Sequence, residues 1–477
     1  MTQRIIKENL ALFLDYRAEQ LCKEIAAQNL PREISIVKQV EIRRHVAQLK
    51  DFLTSAGKCF ALSVAEAAFS ETGYGPWWKT ILVQVATWKP KDFEALNKTV
   101  ELDHLLPKNH QSPCRTLTLG NLFEMVLNEV ATEHAQANIS VKAFLPEGIH
   151  QVHYFDPSKK IFELMINGEL LWSQSRDIIG GYFPTTELAA ILKNHRQQFP
   201  GNICLGHGED HAINVSYKNG KWVVYNPNYS HETIKAMTKS FDTEEQCVGE
   251  IKLCLRNEAV ALQFVSFRAD NQVKFDFFDK LNTAGIIQLI ENGGLHIIAR
   301  NAPAQLQKII ELAFKNPELA TALSHAIFKE NKTHWSGLLV IARYAPNELE
   351  NLFSLAQKDA SLALGIAKTL TISNNEKWNA LHMIASQASN AIEPLLNLAK
   401  NNNNINRALH KALSMKNKQG NVPIDLISKN DPNLSKLLTF QLLSSLPKKS
   451  FYSSSNHENK IIQNEPQKGE LNNQWDR

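Results

Sequence analysis

The chain has almost no charge to spare. Its 52 Lys and Arg against 48 Asp and Glu leave +4 over 477 residues, too little to argue for nucleic acid or an anionic membrane as partner. Cysteine is scarce: six residues, at 22, 59, 114, 204, 247 and 254, with no CxxC pair and no regular spacing. That pattern fits reduced thiols in a cytosol better than a secreted disulfide scaffold. No apolar run is long enough to cross a bilayer. The N-terminus, Met1-Thr-Gln-Arg-Ile-Ile-Lys-Glu-Asn9, begins a charged amphipathic helix and has no secretory h-region. Beyond about residue 273 the sequence also lacks any strand signal.

What is there reads as a soluble globular protein, with 43% hydrophobic and 21% charged residues and length for about three domains. Residues 2–28 and 32–54 carry helical periodicity, broken at Pro31. Cys59-Phe-Ala-Leu-Ser-Val-Ala-Glu-Ala-Ala-Phe69 predicts a helix with Cys59 in its first turn, where the helix dipole favours a thiolate. Further helices are expected near 91–106 and over 119–136. From about 139 the period shifts to two, with short strands at 140–144, 149–155, 161–166 and 170–172, a helix at 185–197, and strands at 203–205, 211–217 and 221–226. A helix near 242–256 and a strand at 259–267 close this segment. Lys218-Asn219-Gly220 marks a hairpin that sets His211 beside Asn226. Helices first, then a sheet, is an α+β arrangement over residues 1–268.

Residues 269–444 repeat with a period of 43: Gly294-Leu-His-Ile-Ile-Ala299, Gly337-Leu-Leu-Val-Ile-Ala342, Ala380-Leu-His-Met-Ile-Ala385 and Pro423-Ile-Asp-Leu-Ile427. Two further blocks, opening at Ala302, Ala345 and Ala388 and at Leu319, Leu362 and Ile405, keep the same register. Three blocks in one register indicate an all-α solenoid. The block at 380–385 resembles the Thr-Pro-Leu-His-x-Ala signature of ankyrin repeats. Their usual period is about 33, so the third block reads as an inserted short helix. HEAT-like or armadillo-like stacking fits the period better and the Leu-His signature worse. Loops between units carry Trp335 and Trp378; these rings either bind a partner protein at the loop tips or cap the next repeat. Residues 445–477, rich in Ser, Asn, Lys and Gln, are expected to be disordered.

A thiol, an imidazole and a side-chain amide are the parts of a thiol acyl-transfer site. The imidazole takes the thiol proton and a third group fixes its tautomer. Cys59, His211 and Asn226 stand in that order and match those roles. Each also has a plainer reading: Cys59 as a packing thiol, His211 as a core histidine or, with His207, a metal ligand, and Asn226 as the cap of a turn at Pro227. His207-Gly-Glu209 lacks the Pro-Cys-x-x-Cys that a zinc deaminase requires. None of these motifs calls for a cofactor.

Gly57-Lys-Cys59-Phe-Ala-Leu-Ser63, His211-Ala-Ile-Asn-Val215 and Val224-Tyr-Asn-Pro-Asn-Tyr229 together resemble the YopT/AvrPphB family of papain-fold bacterial cysteine proteases. The resemblance covers roughly residues 50–267 and implies a papain-like cysteine protease domain with Cys59 as nucleophile, His211 as general base and acid, and Asn226 orienting His211. Asn226 stands where that family has Asp, which removes a negative charge from beside the imidazole. The papain-type glutamine of the oxyanion hole has no counterpart, since Leu53 occupies its position; Gln48 is one candidate in its place. A protease-like domain followed by ankyrin-like repeats is similar to the type IV secreted ankyrin effectors of Legionella. That likeness implies secretion into a host cell, to the cytosol or nucleus, and a host protein recruited by the repeats. An inactive protease-like domain serving as a binding scaffold is the alternative.

Overall fold

A computed structural model describes residues 2–28, 30–54, 59–71, 73–105, 117–132, 151–156, 161–166, 169–198, 203–208, 211–266 and 278–430. The strand expected at 140–144 and the tail from 445 lie outside these residues. The chain divides into two compact units, Met1–Ile309 and Ile310–Arg477.

The first unit opens with a helical layer. Helices α1 (Thr2–Ala27) and α2 (Arg32–Thr54) form an antiparallel hairpin about Pro31. They pack with α3 (Cys59–Glu71), α4 (Gly75–Thr87) and α5 (Leu119–Thr132) around Leu10, Leu53, Leu62, Phe69, Trp78 and Phe123. Phe69 and Trp78 stack at 4.9 Å, which locks α3 onto α4. The helix expected near 91–106 does not form. Lys91 takes φ 77 just after Pro90, a 3-10 turn follows at Glu94–Asn97, and the β-branched pair of β1 (Thr99–Val100) joins β2 (Leu117–Thr118) in a two-strand ribbon.

Among the described residues, eight antiparallel strands make the sheet of this unit: β3 (Gln151–Asp156), β4 (Ile161–Ile166), β5 (Glu169–Tyr182), β6 (Ile203–His207), β7 (Ala212–Lys218), β8 (Lys221–Tyr225), β9 (Thr238–Phe241) and β10 (Ala259–Ser266), in the order β3-β4-β5-β10-β6-β7-β8-β9. Helix α3 lies against β7. Helices α6 (Thr185–Gln198) and α7 (Glu244–Leu255) pack on each other, and α7 also lies against β7 and β8.

Strand β5 is far longer than the three residues its sequence suggests, because it runs on through Gly180-Gly181. Gly181 is there for close packing, since a side chain on it would meet the Leu289 carbonyl at 2.9 Å, whereas one on Gly180 would make only ordinary contact with Ile298 at 3.4 Å. Helices α8 (Thr283–Ile290) and α9 (Gly294–Asn301) lie on β5 there, and α9 also covers β10. From α10 (Pro303–Ala313), Gln305 sets both ends of its carboxamide on Gly180, accepting from its N–H at 2.8 Å and donating to its C=O at 2.8 Å. The boundary expected at 268/269 therefore falls inside the first compact unit, which keeps α8, α9 and the start of α10.

The second unit is mostly helical over its described residues: α11 (Pro317–Phe328), α12 (Gly337–Tyr344), α13 (Leu349–Lys358), α14 (Ala360–Thr369), α15 (Ala380–Gln387), α16 (Ile392–Lys400), α17 (Asn403–Ser414) and α18 (Pro423–Asn430). Each repeat contributes three helices, and like helices stack: α11 on α14 on α17, α12 on α15 on α18, and α13 on α16. Approach is close enough that a side chain on Gly365 would meet the Ser324 hydroxyl at 2.5 Å. N-caps recur in the same register. Asn316, Asp359 and Asn402 accept from the backbones of Leu319, Leu362 and Ile405 at 3.1, 2.7 and 3.1 Å. No described helix is long and apolar enough to cross a membrane.

Candidate functional site

The hairpin that organises the site turns on two residues. Asn219 (φ 50) and Gly220 (φ 79) both occupy the left-handed region, which a tight hairpin turn between twisted strands requires. The register it sets pairs Tyr217 with Trp222 and Asn214 with Tyr225. His211 immediately precedes β7 and Asn226 immediately follows β8, so the two meet at one end of the ladder. His211 Nε2 and Asn226 Oδ1 are 2.8 Å apart.

The protonation of that ring follows from a backbone group. The Asn228 N–H donates to Asn226 Oδ1 at 2.8 Å, and a backbone N–H can only donate, so the atom it meets is the amide oxygen. Nε2 of His211 faces the same oxygen and must therefore carry its proton. In the neutral ring this leaves the lone pair on Nδ1, the nitrogen able to accept a thiol proton. Asn228 brings its own side-chain amide to 3.4 Å from Nε2.

Cys59 is the first residue of α3 and is buried, with 4% of its surface exposed. One turn further along, the Ser63 hydroxyl donates to the carbonyl of Ala212 at 3.1 Å, in the buried seam between α3 and β7. Cys59 is four residues before Ser63, about 6 Å along the helix, and His211 is the residue before Ala212. The start of α3 and the start of β7 are thus pinned to one another. On α1, Lys7 is half-buried; desolvation lowers its ammonium, and the charge of a Cys59 thiolate acts in the opposite direction. Lys7 is within electrostatic reach of that sulfur.

The remaining sequence candidates have definite places. His207 is buried at the end of β6, its Nε2 3.1 Å from Gln263 Oε1 on neighbouring β10. Glu209 and Asp210 lie outside the described residues. Among the described residues no group of three or more His, Cys, Asp or Glu is placed to hold a metal. Leu53 is wholly buried in the helical core, and Gln48 is exposed on α2. In the second unit, Trp378 is 8% exposed with its ring 5.7 Å from that of His382. Trp335 is half-buried, with the Arg343 guanidinium 5.7 Å from its ring centre.

Sequence reasoning missed the groups behind Asn226. The Tyr229 backbone N–H donates to the Asn226 carbonyl at 2.8 Å. Tyr229 OH donates to Glu250 Oε1 and lies 3.2 Å from Cys254 Sγ. Glu250 and Cys254 are four apart on α7, and that spacing on a helix was the one available signal. Ser63 and Lys7 gave none beyond their helical positions.

The arrangement can hold an imidazole in one tautomer at the foot of a helix that begins with a thiol. No protein family, curated protein or solved structure matches the chain.

Proposed function

We propose that this protein is a papain-fold thiol acyl-transfer enzyme, a cysteine protease or a close chemical relative, acting as a translocated bacterial effector on a host protein. The observation that carries the reading is the 2.8 Å contact between His211 Nε2 and Asn226 Oδ1, on the strand pinned to the helix that Cys59 begins. In this reading Nδ1 of His211 accepts the Cys59 proton and Sγ attacks the acyl carbon. The imidazolium returns the proton to the leaving amine as its bond to the acyl carbon breaks. Water, activated by the same ring, then hydrolyses the thioester and restores the thiol. Asn226 holds the ring, and the Cys59 backbone N–H at the start of α3 contributes to oxyanion stabilisation.

The ankyrin-like array recruits the host protein. Its hairpin loops recur in one register, each closed on an asparagine. Asn331 Oδ1 accepts from Thr333 and Trp335, and Asn374 Oδ1 from Glu376 and Trp378, at 2.9 to 3.0 Å. Exposed Lys332, His334 and Lys377 stand at the tips, with Trp335 and Trp378 at their bases.

The burial of Cys59 favours a second reading, in which the domain is an inactive scaffold. The rate of Cys59 alkylation against pH, resolved by peptide mass spectrometry, separates the two. An ordinary thiol titrates at about 8.5. Fast labelling near pH 6 that disappears in His211→Ala supports the enzyme. Labelling that follows an ordinary thiol, or none in the native protein, supports the scaffold.

A further inference from the structure

Helix α2 is apolar on two sides. Towards its end, Val46, Leu49 and Leu53 are buried in the helical core. Nearer its start, Ile36, Val37 and Val40 are 51%, 55% and 59% exposed. With 3.6 residues per turn, Val37 and Val40 stand roughly half a turn around the axis from the core residues, with Ile36 beside them. β-branched side chains lose χ1 freedom in a helix and are poorer helix formers than Lys, Glu or Gln. A helix that had only water on this side would gain nothing from them.

The charges at the two ends of this patch have opposite sign. Glu33, Val37, Val40 and Arg44 follow one another at spacings of four, three and four, the spacing of a coiled-coil seam. They fall within about 60° of one another around the helix, and all four are exposed. Read in one direction the stripe runs acid, apolar, apolar, base; read in the other it runs base, apolar, apolar, acid. It is therefore complementary to its own reverse. A second copy laid antiparallel sets Glu33 of each chain against Arg44 of the other, and Val37 of each against Val40 of the other. A parallel copy would set like charges on each other at both ends. An anionic membrane is a poorer fit, because exposed Glu33 and Glu41 would meet its headgroups together with the arginines.

We propose that the outer face of α2 is an interface between two copies of this chain, paired antiparallel about a two-fold axis that passes between Val37 and Val40. Such a contact is isologous, the same patch serving both partners. Its centre is apolar, and its two ends are closed by Glu33–Arg44 pairs. The seam is roughly 16 Å long, at the small end of specific interfaces, so association is weak and follows concentration. It does not depend on whether Cys59 is catalytic.

The test is sedimentation of the full chain from low to high micromolar concentration. Wild type is expected to pass from the mass of one chain to that of two. Val37→Asp places carboxylates at the centre of the seam and should hold the protein at one chain throughout, with an unchanged circular dichroism spectrum because the position is exposed. Glu33→Arg and Arg44→Glu should each weaken self-association about tenfold, since like charges then meet at both ends. An equimolar mixture of these two variants should dimerise as wild type does, because every arginine then faces a glutamate. The double reversal, Glu33→Arg with Arg44→Glu, should also recover. A wild type that stays a single chain overturns the proposal, including one that instead floats with phosphatidylserine vesicles. A dimer indifferent to Val37→Asp overturns it too, by placing the contact elsewhere, as does a mixture that associates no better than its components.

Discussion

The hydroxyl of Ser63 reaches across from α3 to the backbone carbonyl of Ala212 at 3.1 Å, in a buried seam. This bond joins the residue one helical turn past Cys59 to the residue just after His211. It fixes how the thiol-bearing helix end stands against the imidazole-bearing strand end. Ser63→Ala leaves the carbonyl buried and unsatisfied, so it should cost about 1–2 kcal/mol by urea unfolding. It should also slow Cys59 alkylation near pH 6. Unchanged labelling at reduced stability would mean that the seam holds the fold and has no influence on the site.

Asn226→Asp tests the missing charge directly. A carboxylate beside His211 stabilises the imidazolium, and an opposite charge at this range shifts a pKa by a unit or more. Cys59 labelling at pH 6 should rise roughly tenfold. Asn226→Ala should instead lower it. If the aspartate variant labels no faster than wild type, the imidazolium does not govern Cys59 reactivity.

His231 makes the first unit sensitive to acid. It is fully buried, with Nδ1 2.9 Å from the Tyr229 carbonyl and Nε2 3.5 Å from Tyr225 OH. Desolvation lowers it from 6.5 to about 4. A histidine depressed in the folded state adds stability above its unfolded value, and that contribution fades as pH falls from 6.5 towards 4. The full loss is about 3 kcal/mol. Urea midpoints measured at pH 7 and pH 4.5 should converge in His231→Gln relative to wild type. Parallel profiles for the two proteins would show that His231 is not the acid-sensitive group.

His382 explains the Leu-His signature in physical terms. Its Nδ1 faces Asn379, the N-cap of its own helix, at 2.7 Å, and its Nε2 faces the Asn421 carbonyl of the following loop at 3.1 Å. One ring thereby ties two successive repeats, and burial lowers its pKa. His382→Ala should destabilise the array by about 2 kcal/mol. Hydrogen-exchange protection should drop first in the loops at 374–379 and 417–421. Uniform loss across the whole unit would argue against a local tie.

Several parts of this architecture were legible in the sequence. Asn219-Gly220 gave the hairpin and with it the meeting of His211 and Asn226, because turn chemistry and register are local. The period of 43 gave the three-helix repeats, since α9, α12, α15 and α18 begin at Gly294, Gly337, Ala380 and Pro423. Two local signals misled. The apolar spacing near 91–106 suggested a helix, but Lys91 and the Thr99–Val100 pair took other conformations. The strand expected at 170–172 runs from Glu169 to Tyr182, through Gly180-Gly181, where Gly181 packs against the Leu289 carbonyl. The contacts of Tyr229 with Glu250 and Cys254 were hidden because they form only once α7 has packed behind the hairpin.

Gln305 has a consequence for anyone dividing this chain. Strand β4 accompanies β5 only over Glu169–Ser173, and beyond that point β5 has β10 on one flank alone. An exposed strand flank is a template for unwanted pairing between molecules. The carboxamide of Gln305 occupies the N–H and C=O of Gly180 much as a peptide unit of a further strand would. A fragment cut near residue 268 would strip that plug from the sheet and leave an open flank, ready to recruit a second copy of itself. A fragment retaining Gln305 would keep its flank closed.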